Sequence, residues 1–170
     1  MRALVVFESL FGTTEGVAQV VADALLARGA CVELVEVHAA PRALGCDFGL
    51  VVVGVPTHVV GLPRREAAPE VTRRTGLVIA KADFGIRKWL DDLTMCDHQP
   101  AATFDTTSDR SPGSAARATA RRLRDRGAEI MGTASFRIVD APGPHDAGEA
   151  DRARVWAAGL VLDAAIHRVG

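Results

Sequence analysis

Two short stretches constrain this chain more than anything else in it. Residues 3–7 (ALVVF) and 48–55 (FGLVVVGV) are unbroken apolar runs, rich in β-branched residues. Such a run offers no polar face to water, so it suits a central strand covered on both sides, as in a parallel sheet. Around these runs apolar residues recur at helical steps. Residues 14–28 put Val17, Val20, Val21, Ala24 and Leu25 on one face, with Thr14 to cap the start and Gly29 to end it. Residues 31–37 alternate apolar and charged positions, which predicts a strand nearer a sheet edge.

The second half repeats the alternation. Residues 84–95 predict a helix on Ile86, Trp89, Leu90 and Leu93, and residues 100–105 a short strand. A helix follows over 113–126, burying Ala116, Thr119, Ala120 and Leu123, with Ser111-Pro112 as its N-cap and first residue. Residues 128–139 read as a fifth strand interrupted at Gly132. The chain closes with a helix over 149–168 whose apolar side carries Val155, Trp156, Leu160, Leu162 and Ile166. Residues 64–74 are a weaker helix candidate broken by Pro69, and 75–81 an extended piece or a loop. Five strands alternating with helices make an α/β fold of three layers, a parallel sheet with helices on both faces. A chain of 170 residues without repeat or linker is most simply one domain.

Composition narrows the classes of function. A net charge of −1 gives no general reason to expect nucleic acid or an acidic membrane surface. No apolar run approaches the roughly 18 residues of a membrane span. The first run leads straight into the fold pattern and does not read as a signal peptide. Cys31, Cys46 and Cys96 are odd in number and share no metal-ligand spacing, which fits a reducing compartment rather than a disulfide framework. The expected address is the cytoplasm. His38, His98, His145 and His167 show no metal-site spacing, and the arginines at 117, 121, 122, 124 and 126 read as a solvated helix face.

In an open parallel sheet a ligand sits beyond the carboxyl ends of the strands, where the strand order reverses. Three loops at such ends carry polar, ligand-ready residues. The first is Ser9-Leu10-Phe11-Gly12-Thr13-Thr14. A buried strand that ends in a Gly/Ser/Thr turn and opens into a helix builds an anion pocket, because backbone N–H groups and about half a positive charge face the ligand. The same residues also serve a plain strand-to-helix turn. The second loop is 54–61 (GVPTHVVG), in which Pro56 and Gly61 fix the backbone, Thr57 offers a hydroxyl and His58 a flat ring. The third is 105–113 (DTTSDRSPG), with the Asp105 carboxylate, the hydroxyls of Thr106 and Thr107, and Arg110. No G-x-G-x-x-G follows the first strand, and no lysine near Gly12 makes a GxxxxGK loop. A phosphoacceptor domain needs an aspartate where Val53 and Gly54 end the third strand.

Together these loops resemble those of the flavodoxin family. Its phosphate loop runs Ser/Thr-x-Thr-Gly-x-Thr; Ser9, Gly12 and Thr14 match, and Phe11 replaces a hydroxyl residue. An aromatic there looks like the flavodoxin-like NAD(P)H:quinone reductases, whose loop has a Ser-Met-Tyr-Gly flavour. Pro56-Thr57-His58 followed by Gly61 resembles the Pro-Thr-aromatic-x-x-Gly segment that lies along the isoalloxazine ring. The likeness covers the chain in outline. It implies a flavodoxin-like, doubly wound sheet of five parallel strands in the order 2-1-3-4-5, as one domain over residues 1–170.

The resemblance also implies FMN. Ser9, Leu10, Phe11, Gly12, Thr13 and Thr14 would hold its phosphate, Pro56, Thr57, His58 and Gly61 would line one side of the ring, and Asp105, Thr106 and Thr107 the other. For Asp105 the alternative is capping or turn formation, and His58 reads as a ring contact rather than a proton donor. The chain has no tyrosine, whereas electron-carrying flavodoxins usually stack Tyr or Trp on the flavin; Trp89 and Trp156 fall in helices and read as core. The implied function is electron transfer to a redox partner protein, or from NAD(P)H to a small acceptor such as a quinone. Its rival is a cofactor-free binding or regulatory module of the same fold. Monomer and homodimer both remain open, with residues 75–99 (Leu77, Val78, Ile79) as the candidate interface.

Overall fold

Both apolar runs become central strands. A computed structural model describes residues 1–9, 12–57, 85–107, 114–137 and 147–167. Its strands are β1 (Arg2–Phe7), β2 (Cys31–Glu36), β3 (Phe48–Pro56), β4 (Pro100–Thr107) and β5 (Glu129–Arg137), and its helices are α1 (Thr13–Ala27), α2 (Ile86–Asp92), α3 (Ala115–Arg124) and α4 (Ala147–His167). The strands pair in parallel in the order β2-β1-β3-β4-β5, the expected arrangement. Chain direction reverses its march across the sheet between β1 and β3, which opens a crevice at their carboxyl ends.

Period-two alternation divides the core. Leu4 and Val6 of β1 pack with Ile86, Trp89 and Leu90 of α2 and Leu123 of α3. Ala3, Val5 and Phe7 pack with Val17, Val21 and Leu25 of α1 and Ala157 and Leu160 of α4. Strands β3 and β4 are buried along nearly their whole length, whereas β2 and β5, at the edges, are half-exposed. Gly54 sits inside β3 because the Phe104 ring lies over it: a Cβ there would come 2.2 Å from Phe104 Cζ.

Several local expectations change in the structure. Helix α1 begins one residue early, with Gly12 rather than Thr14 at its N-cap. Helix α3 is capped by Ser114, whose Oγ accepts from Arg117 N; Ser111-Pro112 lies outside the described residues, as do 64–74 and 75–81. The interruption expected at Gly132 is a register shift, in which Ala101 faces Ile130 and Ala102 faces Gly132. On α4 the core takes Ala153, Ala157, Leu160 and Ala164, while Val155 and Leu162, expected on the apolar inner side, are exposed. Trp89 is fully buried as expected; Trp156 is half-buried, edge-on to Phe104 and Phe136.

The cysteines overturn the reading made from their number. Cys46 and Cys96 form a disulfide across 50 positions of sequence, with Cα atoms 5.5 Å apart, and Cys31 alone is free and exposed. Cys46 precedes β3 and Cys96 precedes β4, so two neighbouring strand starts bring them together. With a disulfide present, cysteine usage no longer argues for a reducing compartment. Among the described residues no helix is long and apolar enough to cross a membrane.

Candidate functional site

The carboxyl ends of β1, β3 and β4 converge. Glu8 N donates to Gly54 O at 3.0 Å, and Thr57 N donates to Thr106 O at 2.8 Å, which ties the root of each loop to the next. Thr14 Oγ1 and Thr106 Oγ1 lie 2.8 Å apart in a buried hydrogen bond, so the start of α1 is fastened to β4. Gly12 reaches the helix through a left-handed turn, φ 81°, where a side-chain-bearing residue is strained. No side chain caps α1. The N–H groups of Thr13, Thr14 and Glu15 therefore stand at the helix start without an intrahelical acceptor, with the positive end of the helix dipole behind them.

Unmet hydrogen-bonding capacity collects at this place. Of the six buried side-chain atoms without a partner among the described residues, four lie in or just beyond the carboxyl-terminal parts of the three strands: Glu8 Oε2, Ser9 Oγ, Thr57 Oγ1 and Asp105 Oδ1. Leaving a buried polar atom unpaired costs about 1–3 kcal/mol, so a cluster of them marks where another polar molecule belongs. The Thr14–Thr106 pair uses one hydroxyl hydrogen and leaves the other to donate. A phosphate group takes donors of this kind, hydroxyls at Ser9 and Thr14 beside a bare helix N-terminus. The residues present fit that group.

The remaining expected site residues divide. Asp105 is fully buried and turned to α3, its Oδ2 accepting from Ser114 Oγ at 2.8 Å and from Ala116 N at 2.9 Å. Thr106 is buried and forms the wall between the first and third loops, with Thr107 half-buried at the rim. Pro56 closes β3, half-buried, next to Thr57. Leu10, Phe11, His58 and Gly61 lie outside the described residues.

Glu8 went unnoticed in the sequence. Its carboxyl is pushed up to about 7, chiefly by burial and further by the Glu36 carboxylate, against the lowering effect of the Ile86 N–H that it accepts. The available signal was a lone carboxylate directly after a buried run, at a strand's carboxyl end. Because the folded acid holds its proton more tightly than the unfolded one, its contribution is complete below about pH 4.5 and is lost as pH rises through about 7. Glu8→Gln keeps an acceptor for the Ile86 N–H and never ionises. At pH 8.5 the variant is expected to be more stable than the parent by about 1–3 kcal/mol, and at pH 5 nearly equal to it. Urea unfolding at both pH values reads the difference; a gap that does not change with pH would mean that folded Glu8 titrates as an ordinary carboxylate.

This fold and these strand ends recur in known proteins. The chain is similar to oxidised flavodoxin 1 from Bacillus cereus, at 17% identity and a TM-score of 0.68, over 95% of this chain and 97% of that one. It is also similar to the flavodoxin of Streptococcus pneumoniae TIGR4, at 19% identity and a TM-score of 0.69, over 95% and 99% of the two chains. Against the flavodiiron protein from Giardia intestinalis it is 21% identical with a TM-score of 0.65, covering 97% of this chain but only 36% of that one. No curated protein matches. The flavodoxin family model matches residues 5–157, from β1 into α4. The chain thus belongs to the flavodoxin family, with FMN as its cofactor and electron transfer as its general activity.

Proposed function

We propose that this protein is a single flavodoxin-like domain over residues 1–170 that passes electrons through FMN to a redox partner protein, or from NAD(P)H to a small acceptor such as a quinone. The observation that carries this reading is the pair of unpartnered hydroxyls, Ser9 Oγ and Thr57 Oγ1, beside the uncapped start of α1. Ser9, Gly12, Thr13 and Thr14 hold the phosphate, with Leu10 and Phe11 completing the loop. Thr57 and His58 meet the ring on one side, on a backbone set by Pro56 and Gly61. Asp105 steadies α3 beneath the third loop, and Thr106 and Thr107 face the ring's other side. The flavin supplies the redox chemistry, so the protein needs orientation and electrostatics more than an acid–base pair. The chain has no tyrosine to stack on the flavin, which favours a site tuned by hydroxyls and backbone groups.

The test is spectroscopic. Purified protein is expected to carry flavin absorbance, or to quench FMN fluorescence on titration at tens of micromolar or below. Ser9→Ala is expected to weaken FMN by about tenfold, the loss of one hydrogen bond to the charged phosphate, and Thr57→Ala by about threefold, the loss of one to the neutral ring. FMN that never binds would instead favour the cofactor-free module. Given bound FMN, NADPH oxidation with menadione identifies a reductase, and its absence a carrier fed by another protein.

A further inference from the structure

We propose that the open edge of β5 takes an extended acidic segment of a partner protein, added to the sheet as a sixth strand. Strand β5 pairs with β4 on one side, and among the described residues no strand covers its other side. Successive residues of a strand point their backbone groups to opposite sides, so two contacts fix which ones face out. Arg137 N donates to Glu149 Oε2 at 2.9 Å, and Ser135 O accepts from Arg152 Nη2 at 3.4 Å. Thr133, two residues before Ser135 and past the register shift, faces out with them. The Thr133 N–H and C=O and the Ser135 N–H have no partner among the described residues, and both residues are exposed. Native edge strands are commonly guarded by a charge or a proline. From Gly132 to Phe136 β5 has neither.

The walls beside this edge select the occupant. A groove of about 750 Å³ lies along it, between the first turns of α3 and α4. On the α3 side Arg117 lines the groove, and Arg121 and Arg124 continue the row along the helix, all three exposed. Arg122 and Arg126, on the other flank of α3, reach Asp91 of α2 at 2.6 and 3.9 Å. None of the row at 117, 121 and 124 has an ion-pair partner among the described residues. On the α4 side the groove is lined by half-buried Trp156 and by Val155, 75% exposed. The carboxylate in its lining, Asp151, is paired with Arg154 at 2.6 Å. A strand laid on β5 turns alternate side chains toward α3 and toward α4. Acidic ones meet the arginine row and apolar ones the Trp156 wall, while the backbone pairs with Thr133 and Ser135. A nucleic acid would use the arginines and leave the edge groups of β5 unpaired. An antiparallel β5–β5 pair with a second copy would set both α3 helices on one side of the joined sheet, with like charges together.

Fluorescence polarisation reads the site on the protein as purified, with a labelled peptide of about eight residues in which Asp and Val alternate. Binding is expected at tens to hundreds of micromolar. The same residues arranged as an Asp block and a Val block keep the charge and lose the alternation. That peptide is expected to bind at least about fivefold more weakly. Ser135→Pro removes an outward N–H that β4 does not use, and is expected to weaken the alternating peptide by about tenfold or more. Arg117→Glu with Arg121→Glu, at exposed positions that leave the fold intact, is expected to weaken it by more than about tenfold. Urea unfolding shows that each variant is folded, and the arginine pair decides the matter if Ser135→Pro is not. No peptide binding at about 1 mM would overturn the proposal. So would equal binding of the block peptide, folded variants that bind like the parent, or an oligonucleotide of the same length bound more tightly than the peptide.

Discussion

Trp89→Ala is expected to cost about 3–5 kcal/mol of folding stability, the largest loss from any single side chain here. Helix α2 has only seven residues, too short to hold itself together in water. It stays because Ile86, Trp89 and Leu90 are wholly buried against β1, β3 and β4. Trp89 heads the fully buried side chains by volume, and its Nε1 donates to Pro41 O at 2.9 Å, which pins α2 to the connection between β2 and β3. Truncation leaves a cavity that close-packed neighbours fill only in part, and it strands the Pro41 carbonyl. For a chain of this size the melting temperature is expected to fall by roughly 10–15 °C. Trp89→Phe, which keeps most of the volume, should lose only about 1–2 kcal/mol. A loss below about 1 kcal/mol would contradict this account of how α2 is held.

Removing the Cys46–Cys96 bridge is expected to cost about 2–4 kcal/mol, whether by Cys46→Ser with Cys96→Ser or by dithiol reduction of the parent. The link spans 50 positions of sequence, so reduction returns a large loop's worth of freedom to the unfolded chain. The folded state changes little, because other contacts already join the two connections. Leu44 N donates to Thr94 O at 2.9 Å, Thr94 N to Arg42 O at 2.8 Å, and the buried Gln99 amide to Gly45 O and Phe48 O, each at 3.1 Å. These contacts lie at the amino ends of β3 and β4, opposite the site. Reduction should therefore lower the urea midpoint while FMN affinity stays within about twofold. An unmoved midpoint would show that the bridge does not constrain the unfolded chain, and a lost FMN affinity that the two ends of the sheet are coupled.

The residues that sequence reasoning placed well share a property: their role follows from near neighbours. The inner face of α3 is Ala116, Thr119, Ala120 and Leu123, as the three- and four-residue spacing predicts. Residues whose role depends on distant partners were misread or missed. Thr14 looked like a helix cap because threonine often is one; its hydroxyl instead crosses to Thr106, 92 positions away. Helix α4 divides: Leu160 is in the core and Trp156 packs against it, as the spacing predicts, whereas Val155 and Leu162 face out. Its apolar residues fall on both sides, and the periodic reading favoured the larger ones, whereas packing placed Ala153, Ala157 and Ala164 inward, where small side chains let a helix lie close to the sheet.

By itself, the sequence determined the alternation of strands and helices, the double burial of β1 and β3, and the polar loops at their ends. Those features follow from which residues avoid water within a few positions of one another, a local property that composition and spacing carry. Tertiary structure alone decided which hydroxyls at the strand ends were left without partners, how Glu8 was pushed toward neutrality, that Cys46 meets Cys96, and which stripe of α4 faces out. Each of these depends on atoms far apart in sequence meeting, or failing to meet, once the sheet has closed. Hydrogen-bond satisfaction, desolvation and disulfide geometry exist only at that stage.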